Sequence, residues 1–128
     1  MTNSRVLIDS HILVWLLYEP EKISRDAQKL LEEANNVYLS PVSLWELALK
    51  FNKHKLAYSP QELMEGTKEL NLEMMPLLDQ HIITSTTLKM SHKDPLDTML
   101  VAQSEAEGCV FLTADIRIMD SNYNTFKC

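Results

Sequence analysis

Four acidic residues, Asp9, Glu46, Asp97 and Asp115, are placed where folding could bring their carboxylates together. Asp9 directly follows the apolar residues 6–8, and Asp115 comes shortly after a second apolar stretch at 109–112. A helical pattern follows each of these two acids, so both stand at the carboxyl end of an expected strand. Ligands bind at this edge of open α/β sheets, and we therefore expect a functional site there.

Carboxylates gathered without a cation repel one another, and their raised pKa values cost stability. A hard cation removes that cost, and oxygen-only ligands favour Mg²⁺ or Mn²⁺ over zinc. The alternative for Asp9 and Asp115 is that each only caps the helix that follows. Glu46 has a similar alternative, because Ser43 three residues earlier gives the spacing of a capping box. Since two acids occupy matching strand ends, we favour the metal site.

Asp94 and Asp97 flank Pro95 at an expected helix start. Asp94 suits the helix cap, where negative charge is favourable. Asp97, in the first turn, can point along the sheet edge toward Asp9. We therefore assign Asp94 to the cap and Asp97 to the metal site.

Strands and helices alternate along the chain, which predicts a parallel sheet covered by helices on both faces. Strands are predicted at 6–9, 37–39, 72–76 and 110–113, with 125–127 as a candidate edge strand. Helices are predicted at 10–18 with Ser10 as N-cap, from Ser24 to 35, from Ser43 onward, and at 60–69, 79–88 and 96–108. The expected fold class is α/β, a three-layer α/β/α single domain with a central parallel sheet over residues 1–128.

Composition predicts a globular protein of the cytoplasm. Of the 128 residues, 45% are hydrophobic and 23% are charged. The apolar run at 12–17 is too short to cross a membrane, and the start of the chain lacks a signal-peptide pattern. Cys109 and Cys128 have no metal-ligand spacing, which suits a reducing compartment. No membrane association is therefore expected.

Charge and the missing motifs narrow the chemistry further. The net charge of −6 argues against nucleic-acid binding unless the acids are clustered around cations. Gly66 and Gly108 are the only glycines, which excludes Gly-rich phosphate loops. The four histidines lack paired ligand spacing, and no GxSxG nucleophile motif occurs.

Five sequence blocks stand in a distinctive order and spacing. They are Leu7-Ile8-Asp9-Ser10-His11, Ser43-Leu44-Trp45-Glu46-Leu47, His92-Lys93-Asp94-Pro95-Leu96-Asp97, Met99-Leu100-Val101-Ala102-Gln103 and Leu112-Thr113-Ala114-Asp115. Together they resemble the PIN-domain family, most closely its VapC-like toxin branch. Each block alone is weakly specific, whereas five in order over nearly the whole chain are a strong signal.

The resemblance implies a PIN-like α/β/α domain that is a Mg²⁺- or Mn²⁺-dependent endoribonuclease. It implies a homodimer and a cognate antitoxin protein that fills the active-site groove. By position, the family's acidic cluster corresponds to Asp9, Glu46, Asp97 and Asp115, with Asp94 as the branch's extra acid. Ser10 and Thr113 match hydroxyls that help to hold metal-bound water or phosphate.

One position departs from the branch, which usually has Arg directly after the second Asp of its HxDPxD motif. This chain has Thr98 there. The departure removes an expected phosphate contact, and it bears on substrate affinity rather than on the metal site. Four lysines remain as candidates for contacting the RNA backbone, namely Lys50, Lys53, Lys55 and Lys93, each with solvated surface charge as the alternative.

The resulting hypothesis is metal-assisted hydrolysis of an RNA phosphodiester, with no protein nucleophile. One alternative is a receiver-like phosphoacceptor module, another α/β domain with acids at strand ends. A receiver-like module requires paired acids after the first strand, where this chain has Ser10-His11. A second alternative is a non-catalytic nucleic-acid-binding domain, and a third is the same chemistry on structured DNA.

Overall fold

The computed structural model describes residues 4–90, 94–119 and 123–128. The strands in these ranges are β1 Arg5–Ile8, β2 Asn36–Leu39, β3 Glu73–Met74, β4 Val110–Thr113 and β5 Thr125–Lys127. The helices are α1 Ser10–Tyr18, α2 Arg25–Glu33, α3 Pro41–Asn52, α4 Pro60–Glu69, α5 Asp79–Ser85, α6 Pro95–Glu107 and α7 Ile116–Met119, with a 3₁₀ turn at Pro20–Lys22.

The five strands form one parallel sheet in the order β3-β2-β1-β4-β5. In this register Ile8 stands opposite Leu39 on one side and Leu112 on the other. The backbone N–H of Asp9 continues the ladder by donating to the carbonyl of Leu112 at 2.9 Å. The residues that directly follow β1 and β2 and the last residue of β4 therefore meet at one edge of the sheet.

Alternation along β1 divides the core into two layers. Val6 and Ile8 pack with buried residues of α1, α2, α3 and α4 on one face. Leu7 packs with Leu100 and Phe111 on the other face, among side chains from α6 and α7. Continuous apolar strands are required when both faces of a sheet are covered. The predicted three-layer α/β/α architecture is confirmed.

Two predicted helix caps are wrong. The N-cap of α1 is Asp9, not Ser10, because its side chain accepts a hydrogen bond from the Ser10 backbone N–H. Helix α3 begins at Pro41 with Ser40 as its cap, instead of opening at Ser43. Proline is favoured at the first helical position, and the hydroxyl before it completes the helix start.

Other boundaries follow the sequence more closely. Ser24 caps α2, and Ser59 forms a capping box with Glu62 at the start of α4. Gly108 ends α6 in the left-handed conformation, with φ of 68°, which glycine adopts without a steric penalty. Helix α5 ends at Ser85 instead of residue 88, and β3 is shorter than predicted. The candidate edge strand at 125–127 is confirmed.

Among the described residues, the helices are all too short or too polar to cross a lipid bilayer.

Candidate functional site

Asp9 is held from two sides at the carboxyl end of β1. Its Oδ1 accepts a hydrogen bond from the backbone N–H of Ser10 at 2.7 Å, and its Oδ2 accepts one from the Thr113 hydroxyl at 2.6 Å. Asp9 is 4% exposed, and Thr113 is fully buried. These contacts fix the carboxylate at the sheet edge, so its rotamer depends on the packing of β1 against β4.

Glu46 reaches the same edge from α3. Because this helix begins at Pro41, Glu46 lies beyond its first turn and is not part of a capping box with Ser43. Its Oε1 accepts a hydrogen bond from the Ser10 hydroxyl at 2.9 Å, and its Oε2 lies 3.5 Å from Lys50 Nζ. The carboxylate is therefore directed toward β1 instead of toward its own backbone.

At the start of α6, the side chains of Asp94 and Asp97 point to different places, as the sequence predicted. Asp94 caps the helix by accepting hydrogen bonds from the backbone N–H groups of Leu96 at 2.9 Å and Asp97 at 3.3 Å. Asp97 is 7% exposed, and its carboxylate points to the sheet edge where Asp9 and Glu46 lie.

Three carboxylates converge at this edge: those of Asp9, Glu46 and Asp97, hereafter the carboxylate cluster. One oxygen of each lies within 4.8 Å of the others. Oxygen-only donors held this close have the chemistry of a hard divalent cation site. The cluster can therefore hold a metal ion.

Burial raises the pKa of Asp9, and the nearby Glu46 carboxylate raises it further. Hydrogen bonds from Thr113 and from the Ser10 backbone oppose this rise, as does the charge of His11. A raised pKa means that ionised Asp9 is unfavourable in the protein without a cation. A bound divalent ion would favour the ionised form and remove this cost.

Asp115 lies at the same edge, just beyond β4, but its carboxylate is not one of the three that converge. Its Oδ1 accepts hydrogen bonds from the Arg117 backbone N–H at 3.0 Å and from Nε at 3.1 Å, and its Oδ2 accepts one from Nη2 at 2.8 Å. The Asp115 backbone N–H donates to the Thr113 hydroxyl at 3.0 Å. Thr113 thus links the backbone of Asp115 to the side chain of Asp9.

Similarity to known proteins shows the family of this chain. Residues 6–121 match the family model described as the PIN domain. The chain belongs to the PIN-domain family. It is similar to Ribonuclease VapC22 of Mycobacterium tuberculosis, with 25% identity over 120 residues and 88% of each chain covered.

Two solved structures give the same fold for this PIN domain. VapBC2 from Rickettsia felis, bound to a DNA fragment from its promoter, aligns with a TM-score of 0.73 and 14% identity, covering 96% of this chain and 98% of that one. DNA-bound VapBC from Salmonella typhimurium aligns with a TM-score of 0.72 and 14% identity, covering 97% and 98%. The receiver-like alternative is not retained.

The two predicted hydroxyls of this PIN domain both contact its acids. Ser10 Oγ lies 2.9 Å from Glu46 and 3.3 Å from Asp9, and Thr113 donates to Asp9. They connect carboxylates to one another, while their contact with water or phosphate stays a prediction.

Among the predicted basic contacts, Lys50 lies at the site, with its Nζ close to Glu46 and 3.2 Å from His11 Nε2. Lys93 lies outside the described residues. Thr98 donates its hydroxyl to the Asp94 carbonyl at 2.9 Å and brings no positive charge. Sequence reasoning missed Arg117, because a spacing of two from Asp115 does not bring side chains together on a regular helix.

Proposed function

We propose that this PIN domain is a metal-dependent endoribonuclease that hydrolyses RNA phosphodiester bonds. The observation that carries the proposal is the convergence of Asp9, Glu46 and Asp97 at the carboxyl edge of a parallel sheet. The curated relative named as a ribonuclease supports RNA as the substrate. One sheet with a core on each face supports treating residues 1–128 as a single nuclease domain.

Mg²⁺ or Mn²⁺ is the proposed cofactor. Three carboxylate oxygens provide hard ligands and no nitrogen or sulfur, which favours these ions over zinc. When bound, the ion would supply Lewis-acid activation of water and neutralise charge on the phosphate. Asp115 completes the proposed catalytic acids as the fourth member, next to Arg117.

The hydroxyl and amide donors around the acids have a positioning role. Ser10 connects Asp9 with Glu46, and Thr113 fixes the second oxygen of Asp9. These contacts hold the carboxylates in one arrangement before any ligand arrives. Preorganised groups lose little free energy to reorganisation during the reaction. We propose that Ser10 and Thr113 also help to orient the attacking water or the phosphate.

The proposed biological role is the toxin of a toxin–antitoxin pair in the cytoplasm. The VapBC complexes that share the fold support a cognate antitoxin as the partner. On α3, Trp45 is 58% exposed and Leu49 is 37% exposed, one turn apart and beside Glu46. Exposed apolar side chains of this kind at a site suit an apolar segment of a partner protein.

A homodimer is the proposed assembly. The α5 region exposes large apolar side chains, with Leu78 47%, Ile82 49% and Ile83 58% exposed. Several exposed large apolar side chains at one short helix are typical of an association face. A second copy of this chain is the partner we propose for it.

The decisive experiment measures cleavage of a mixed RNA pool by purified protein with Mg²⁺ or Mn²⁺, and again with chelator. We expect wild-type cleavage to require the cation and Asp97→Asn to lose at least about 100-fold in rate, because a cluster ligand is lost. Asp94→Asn is the matched control, since asparagine is an equally good helix cap. It should retain most activity and the same fold by circular dichroism.

Several outcomes would contradict the proposal. Full activity of a folded Asp97→Asn protein would remove Asp97 from the site, and cleavage that survives the chelator would exclude the metal. Equal losses in Asp94→Asn and Asp97→Asn would mean that the two roles are divided wrongly. Cleavage of structured DNA in preference to RNA would move the substrate to DNA.

A further inference from the structure

Asp115 holds one edge of the Arg117 guanidinium, and the rest of the side chain is largely exposed. Asp115 accepts hydrogen bonds from Nε at 3.1 Å and from Nη2 at 2.8 Å, the two-point contact typical of a guanidinium and a carboxylate. A guanidinium has five N–H donors, so three remain after these two bonds when the described residues are considered. The Arg117 side chain is 64% exposed, which leaves its outer face accessible to a ligand in solution.

The guanidinium lies at the rim of the carboxylate cluster. Asp115 follows β4, which pairs with β1, and the Thr113 hydroxyl contacts both the Asp115 backbone and the Asp9 carboxylate. Arg117 therefore lies beside the site on its β4 side.

A polyanion approaching this edge meets three carboxylates and needs positive charge around them. Lys50 stands on the α3 side, where Glu46 and His11 contact its ammonium. Arg117 stands on the β4 side, and its side chain is largely exposed. A planar guanidinium matches the oxygens of a phosphate better than a single point charge does.

We propose that Arg117, oriented by Asp115, binds a backbone phosphate of the RNA strand beside the one that is cleaved. The inference rests on the proposed ribonuclease function, which it deepens by naming a substrate-binding residue. In addition to its proposed place among the catalytic acids, Asp115 fixes the direction of the guanidinium through its carboxylate.

A purely structural role for Arg117 predicts a different outcome. An exposed ion pair adds little to stability, so Arg117→Gln should fold and melt like wild type. If the Arg117–Asp115 pair served only to stabilise the local turn, Arg117→Gln would leave RNA affinity unchanged. Binding and stability therefore separate the two roles.

The test measures affinity for a short labelled single-stranded RNA by fluorescence anisotropy over a range of salt concentrations. Asp97→Asn serves as the background, so that the RNA stays intact. Adding Arg117→Gln should weaken binding about tenfold and reduce the slope of log Kd against log salt by about 0.7, the value for one lost phosphate contact. Arg117→Lys should keep the slope and show an intermediate affinity, because it keeps the charge but loses the two-point geometry.

Lys22→Gln is the matched control. Lys22 forms an exposed ion pair with Glu19 at 3.0 Å, just past the end of α1 that is farthest from Asp9. It should leave RNA affinity and the salt slope unchanged. In the active background, Arg117→Gln should raise KM about tenfold with a smaller change in kcat, and Mn²⁺ affinity should stay the same.

Unchanged RNA affinity and unchanged KM in Arg117→Gln would overturn the inference and leave the ribonuclease proposal standing. Equal losses in Arg117→Gln and Lys22→Gln would also overturn it, as a general effect of charge. A wild-type protein that neither binds nor cleaves RNA would overturn both.

Discussion

The single strand β1 separates two clusters of charged side chains that differ in charge balance. At its first residue, Arg5 donates to the Glu107 carbonyl and lies 3.9 Å from that residue's carboxylate. Fully buried His81 pairs with the same carboxylate through Nε2 at 2.7 Å, while its Nδ1 accepts from the Leu78 backbone N–H. Arg5, His81 and Glu107 form an amino-end cluster in which basic and acidic groups face one another.

At the other end of β1, the carboxylate cluster brings three acids within 4.8 Å of one another. Lys50 and Arg117 pair with acids at its two sides, whereas the donors to Asp9 among the described residues are uncharged. Within the described residues, the amino end of the sheet pairs basic with acidic groups, whereas three carboxylates converge at the carboxyl end. The first arrangement supports the fold, and the second can hold a cation.

The largest expected effect on stability belongs to the amino-end cluster. His81→Asn removes a fully buried ring and the hydrogen bond to Glu107, and we expect it to lower the free energy of unfolding by about 3 kcal/mol. Thermal melts followed by circular dichroism measure this loss. RNA cleavage well below the melting temperature should stay within about threefold of wild type, because the change lies far from the acids.

His54→Asn is the matched control, since His54 is exposed and its φ of 58° is one that asparagine tolerates. It should change stability by less than about 0.5 kcal/mol. A stable His81→Asn protein, or one that lost activity while still folded, would break the division between the two clusters.

A smaller effect of opposite sign is expected from Asp9→Asn. The pKa of Asp9 is raised above its ordinary value of 3.8, so the folded protein retains a proton that the unfolded chain releases. Without metal, the free energy of unfolding should therefore fall as pH rises from about 4 through the raised pKa. Asp9→Asn lacks this loss and should be more stable than wild type at neutral pH, by about 1 kcal/mol.

The measurement is a series of thermal melts between acid and neutral pH in the presence of chelator. The gap between Asp9→Asn and wild type should close toward the acid end. Asp94→Asn, a change at an exposed cap, should follow the wild-type pH profile. A wild-type protein that gained stability relative to Asp9→Asn as pH rose would contradict the raised pKa.

The positions of Asp9 and Asp97 could be predicted because they follow from periodicity. An acid directly after an apolar strand lies at the carboxyl edge of a parallel sheet, which locates Asp9. The Asp94 cap fixes where α6 begins, which locates Asp97 in its first turn. The position of the Glu46 side chain was harder to predict, since its spacing from Ser43 also fitted a capping box. Helix α3 begins at Pro41 with Ser40 as its cap. Glu46 therefore lies beyond the first turn, and its side chain is available to the site.

Two further contacts could not be predicted, one because it depends on tertiary packing and one because it forms in a turn. His81 and Glu107 are 26 residues apart, and their pairing requires α5 to lie against α6. The contact between Arg117 and Asp115 joins residues at a spacing of two, which does not face one way on a regular helix. It forms because Asp115 lies in the turn between β4 and α7, where its side chain also accepts the Arg117 backbone N–H.

Calorimetric titration of metal-free protein with Mn²⁺ tests most directly whether the carboxylate cluster is a cation site. Wild type should bind saturably, Asp97→Asn should bind at least about tenfold more weakly, and Glu107→Gln should bind like wild type. Absent binding in wild type, or equal binding by wild type and Asp97→Asn, would contradict the account.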